Sequence, residues 1–193
     1  MKTIIFIDGE NFKKTLKASL IALDKKHTDF EFTKLNFRLL IENALPKIKI
    51  DEIRFYGAKL RIYKETAEKS AQLVKEQRKL ITHLQKMDIN FIMSGNVRMH
   101  SQNVEKKIVY TFTEKGVDVR LAVDLVTMAC DKKVQRAVIA SSDSDLQPAV
   151  SELKSRGVET LYLGFASKPN KGLIYTADKT VLFRDNEIVE AVK

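Results

Sequence analysis

With 193 residues, 44% of them apolar, the chain is sized for one α/β domain and can form a full core. Its 34 Lys and Arg against 25 Asp and Glu leave a net charge of +9, which suits a polyanionic partner such as nucleic acid and equally suits a basic protein without one. A single cysteine, Cys130 in an apolar run, excludes an internal disulfide and is expected to be a core thiol in a reducing compartment; the scattered His27, His83 and His100 argue against a finger-type zinc site.

The chain opens directly on a strand, TIIFID (residues 3–8), and no signal peptide is expected. Residues 10–23 follow as a helix with Phe12, Leu16 and Leu20 at helical spacing. A second helix is predicted over 33–45, capped by Thr33 and stopped before Pro46. Strand 52–57 leads to a long charged helix over 64–87, with Leu73, Leu80, Ile81 and Leu84 inward, and then to strand 89–94. Residues 95–114 are expected to be an extended excursion in which 107–113 alternates as an added strand or hairpin arm. Helix 118–130 carries Val119, Val123 and Val126 on one stripe. Strand 136–141 precedes helix 146–156, which ends at Gly157 in a C′ position; strands 159–165 and 180–184 complete the set. Several strands are apolar throughout, as strands buried on both faces must be. Strands alternating with helices predict a three-layer α/β/α sandwich around a mostly parallel sheet. No repeat or linker breaks the chain, so one domain over 1–193 is expected. No run of about eighteen apolar residues marks a membrane span, and a cytoplasmic location is expected.

The chemistry is concentrated in acids at strand ends. In open parallel sheets, ligands bind beyond the carboxyl ends of the strands. Asp8 ends the first strand, Asp143 and Asp145 follow strand 136–141 in IASSDSDL, and Asp118 begins a helix in EKGVDVRLAVDL. Should the strands ending at Asp8 and before Asp143 be neighbours, these acids face one crevice. Carboxylates so gathered repel one another, and a hard divalent cation such as Mg²⁺ or Mn²⁺ resolves the repulsion. Each acid alone equally suits a helix cap or a favourable place in a helix dipole. Jointly, D-x-x-N and S-S-D-S-D exceed what capping needs. Asp124, about 120° round the helix from Asp118, is either a further ligand or a supporting or surface acid. Glu10 reads as a first-turn acid.

The stretches FIDGENF, KGVDVRLAVDL, SSDSDLQPAV and RGVETLYLGF, in that order within a match from residue 3 to about residue 165, resemble the NYN domain, in particular its LabA-like bacterial branch within the PIN-like metal-dependent ribonucleases. The resemblance implies a PIN-like fold and a Mg²⁺- or Mn²⁺-dependent nuclease acting on RNA. By position it implies site roles for Asp8, Asn11, Asp118, Asp143 and Asp145. Where many relatives have S-G-D-G-D-F, this chain has Ser141-Ser142-Asp143-Ser144-Asp145-Leu146, which keeps the acids and stiffens the loop. Some relatives carry a separate RNA-binding domain. A chain ending at Lys193 is expected to bind RNA through this domain, a homo-oligomer or a protein partner.

The mechanism expected is in-line hydrolysis of a phosphodiester by metal-activated water, with Asn11 orienting a ligand or the phosphate. Lys13, Lys14, Lys17, Lys59, Arg61, Arg98, Lys106 and Lys107 are expected to track the backbone. Phe12 and Tyr56 are candidates for stacking on bases, Phe12 with a stronger claim to the core. Two rivals are a haloacid-dehalogenase-like phosphohydrolase, which wants a second Asp where this chain has Glu10, and a catalytically silent nucleic-acid-binding or scaffold module of the same fold.

Overall fold

The structure, a computed structural model, describes residues 1–24, 28, 30–104 and 107–192, with Val104 and Lys107 described by backbone alone. Strand β1 (Thr3–Asp8) is buried along its whole length, as the TIIFID composition requires of a central strand. It lies between β2 (Glu52–Lys59) and β5 (Arg136–Ala140), parallel to both, with Ile5 opposite Ile53 and Val138. With β3 (Asn90–Val104), β4 (Lys107–Lys115), β6 (Glu159–Phe165) and β7 (Lys179–Phe183), the sheet runs in the order β4-β3-β2-β1-β5-β6-β7. β4 is antiparallel to β3, and every other pair is parallel. Chain order reverses direction between β1 and β5, which opens a crevice at their carboxyl ends.

Alternating side chains of β1 feed two cores. Ile5 and Ile7 pack with α1 (Gly9–Leu23), α2 (Phe37–Ala44), α3 (Ala67–Lys86) and α7 (Asp185–Val192). Ile4 and Phe6 pack with α4 (Val117–Cys130), α5 (Gln147–Ser155) and α6 (Lys171–Thr176) on the other face. This is the three-layer α/β/α sandwich expected. Among the described residues, no helix is long and apolar enough to cross a membrane.

Several local expectations change. α2 begins at Phe37 because Asn36 caps it, accepting from the Leu39 N–H at 3.0 Å; Thr33 lies in a separate tight turn, 32–34. α4 buries Val117, Leu121, Leu125 and Met128, leaving Val119 62% and Val123 52% exposed. Two stripes at helical spacing were available, and the one carrying the larger side chains faces the sheet. Cys130 is exposed at the end of α4, not in the core. The excursion is a long hairpin in which β3 pairs with β4 from Asn96–Lys115 to Val104–Lys107. α6 and α7, six and eight residues long, were not foreseen.

Candidate acidic site at the switch point

Asp8 closes β1 and caps α1. Its Oδ1 accepts from the Asn11 backbone N–H at 3.2 Å, and its Oδ2 accepts from Asn11 Nδ2 at 2.6 Å and from Ser141 Oγ at 3.2 Å. Capping and site-building are therefore not alternatives for this residue. Gly9 is required next to it, since a Cβ there would overlap the Phe55 ring and the Tyr56 carbonyl.

From β5, the loop Ser141–Asp145 completes the arrangement. Ser142 Oγ donates to Asn11 Oδ1 at 3.1 Å, so the Asn11 amide is held at both ends. The Asp143 N–H donates to Ser141 Oγ at 3.1 Å, and Asp143 Oδ1 accepts from the Asp145 N–H at 2.9 Å. Asp8 is only 4% exposed. That burial raises its pKa above the usual aspartate value, against the hydrogen bonds from Asn11 and Ser141, and the Asp143 carboxylate raises it further.

The other expected acids lie differently. The Asp145 side chain is exposed on the outer side of the loop. Asp118 is half-buried in the first turn of α4, after Gly116 in the left-handed region (φ +83°), and pairs with nothing among the described residues. Asp124 is bound to side chains of β2 and α4. It accepts from the Tyr56 hydroxyl at 2.9 Å and from Arg120 Nε at 2.7 Å, with Arg54 Nη1 3.6 Å away. These partners occupy both carboxylate oxygens, as expected of a structural acid.

The donor set suits a hard divalent cation in kind, being oxygen throughout, and the buried Asp8 carries a repulsion from Asp143 that such an ion would relieve. Among the described residues, no three Asp, Glu, His or Cys side chains form a group able to hold a metal. The fit is thus to an ion held by one or two carboxylates that keeps several waters, a mode Mg²⁺ favours.

A groove of about 740 Å³ runs from Gly9 and Glu10 past the carboxyl end of β2 and the Phe91–Val97 stretch of β3 to α3. Lys13, Lys17 and Lys79 line it, over a floor that includes Phe55 and Phe91. Lys13 is paired with Glu10 at 2.9 Å. Lys14, Lys59 and Arg98 are exposed, and Arg61 Nη2 donates to Asn96 Oδ1 at 3.3 Å. Lys106 lies outside the described residues, and Lys107 is placed by backbone in β4. Phe12 and Tyr56 are both buried and cannot stack on a base.

Two further residues went unnoticed in the sequence. Glu114, at the end of β4, lines the groove. Burial raises its pKa, Glu10 adds to this, and Lys13 offsets part of it. Lys168 lies beside Asn11, Ser141 and Ser142. The only signal for Glu114 was its place just ahead of the K-G-V-D stretch. Lys168 had none, because its position depends on the turn after β6.

The NYN domain profile matches residues 2–184. A solved protein of unknown function from Vibrio parahaemolyticus is similar over 96% of this chain and 94% of its own, with a TM-score of 0.58 and 16% identity, a likeness that shows the fold alone. A search among curated proteins found no match.

Proposed function

The chain belongs to the NYN domain family, and from that premise we propose that it is a metal-dependent ribonuclease of the LabA-like branch, a single nuclease domain over residues 1–193 that works in the cytoplasm. Family membership supports a nuclease of the PIN-like superfamily. The observation that carries the finer reading is the bonded set Asp8, Asn11, Ser141, Ser142 and Asp143 at the switch point of the sheet. Mg²⁺ or Mn²⁺ would be held by Asp8 and Asp143, with Asp118 and Asp145 at the rim. When bound, the cation supplies an activated water and positive charge for the phosphate.

The chain's own residues do the rest. Asn11, fixed through Asp8 and Ser142, orients the carboxylate it bonds. Burial at the end of β1 keeps water from most of Asp8. Lys17 holds the strand in the groove, with Lys13 held to Glu10 beside it, and Lys168 meets a phosphate on the other side of Asn11. His83 is engaged with the Leu35 carbonyl at 2.7 Å and His100 is on the hairpin, so neither is placed as a general base. Glu10, exposed and paired with Lys13, stands where a haloacid-dehalogenase-like enzyme needs a second Asp, which leaves that rival without support.

Digestion of a panel of RNA and DNA with Mg²⁺ or Mn²⁺ tests the reading. RNA should be cut, and Asp143→Asn should lower the rate by more than about 100-fold, because even partners one shell beyond a metal are worth 10–100-fold. Undiminished cleavage by Asp143→Asn would refute the mechanism. Binding of RNA without cleavage by the wild type would favour the silent module.

A further inference from the structure

We propose that Tyr175 is a stacking platform for a nucleobase of the RNA strand held at the acidic site, an inference that rests on the ribonuclease reading above. Tyr175 is 89% exposed, the barest of the large apolar side chains on the described surface. An isolated exposed ring needs no explanation in itself. The position of this one does. It faces an open groove of about 650 Å³ that it shares with Ser144, Asp145, Gln147 and Pro148, on the outer side of the acidic loop.

The helix that carries it is tied to that loop. Asn170 caps α6 by accepting from the Leu173 N–H at 2.9 Å, and its Nδ2 donates to the Ser142 carbonyl at 2.8 Å. Its own N–H donates to the buried Tyr162 hydroxyl at 3.0 Å. At the other end, Thr176 Oγ1 donates to Gln147 Oε1 at 3.2 Å and Lys154 Nζ donates to the Thr176 carbonyl at 2.8 Å. Leu173 is fully buried beneath. A helix of six residues has little stability of its own, so these ties set its place. They fix the backbone under Tyr175 relative to Ser142 and, through the same loop, to Asp143 and Asp145.

A flat π face held in water beside a phosphate-cleaving site suits a base, since every base presents one and stacking tolerates any sequence. The charge agrees with this placement. Lys168 lies next to Asn11 and Ser142, and Lys171 opens α6; both are exposed. The loop from Ser142, beside Lys168, to Asp145, which lines the groove that Tyr175 borders, joins the two places, so a strand with a phosphate at Lys168 would follow this loop towards Tyr175. The ring then sets how the strand lies across the acids, independently of base identity.

The chain contains no tryptophan, so Tyr175→Trp installs a single reporter. In an Asp143→Asn background, which spares the RNA, titration with a short single-stranded RNA should quench the indole emission saturably, and a base-free ribose-phosphate oligomer should not. Tyr175→Ala should weaken RNA binding by about 5- to 150-fold, the loss of one stacked base, and Tyr175→Phe should retain it. Melting temperatures check that each variant is folded. RNA binding unchanged in Tyr175→Ala, with no quenching in Tyr175→Trp, overturns this inference while leaving the ribonuclease reading intact. Failure of the wild type to bind RNA overturns both.

Discussion

Asp8 shows how one carboxylate serves both local structure and chemistry. It caps α1 through the Asn11 N–H, and it also sits buried against the Asp143 loop. Because burial raises its pKa, the folded protein holds this proton more tightly than the unfolded chain does. Ionised Asp8 therefore costs stability at neutral pH, and the cost disappears once the pH falls below the ordinary aspartate value of 3.8. Asp8→Asn removes the charge and keeps a capping oxygen. Without metal, the variant should melt above the wild type at neutral pH, and the gap should close as the pH drops through that value. Thermal melts in a chelator across the pH range measure this, and a lower melting point at neutral pH would show that the lost hydrogen bonds outweigh the burial. Asp8, Asn11 and Asp143 could be found in the sequence because each sits where an apolar run ends. Asp124 could not be assigned, since its partners Tyr56 and Arg54 come from β2, on another part of the chain. Glu114 was hidden for a similar reason, as its burial depends on how the β3–β4 hairpin folds back towards Ala58.

The helices separate what periodicity decides from what packing decides. In α1, Phe12, Leu16 and Leu20 are buried as their spacing predicted. Phe12 lies at the meeting point of Phe37, Phe165 and Phe183, with ring centroids 5.2–6.0 Å away. Phe12→Ala should therefore cost about 3–5 kcal/mol in chemical denaturation. A cost near zero would mean that the ring is not in the core. α4 offered two apolar stripes on opposite faces, about half a turn apart, and spacing alone could not choose between Val119–Val123 and Leu121–Leu125. Only the sheet, with Phe6 and Ile139 facing the helix, decides. α6 has a clear start signal in Asn170 but is too short for a periodic pattern, and its importance lies in the side chain it presents.

At the scale of the whole molecule, the sheet order puts β1 and β5 side by side, and with them the two acidic segments separated by more than a hundred residues. That adjacency could be anticipated only as a condition in the sequence; the parallel pairing of Phe6 with Ile139 meets it. Around this crevice the surplus of +9 is not spread evenly in effect. Lys13 is already neutralised by Glu10, while Lys17, in the same groove, pairs with no acid among the described residues. Each lysine that neutralises a phosphate of a single strand adds about −0.7 to the slope of log affinity against log salt. With Lys17, Lys168 and Lys171 engaged, the slope should be about −2, and Lys17→Ala should reduce it by about 0.7 without changing preference among RNA sequences. The measurement is RNA affinity over a salt series in Asp143→Asn, so that cleavage does not intrude. A flat dependence would strip the lysines of their role along the strand and would point to a small phosphorylated substrate in the crevice.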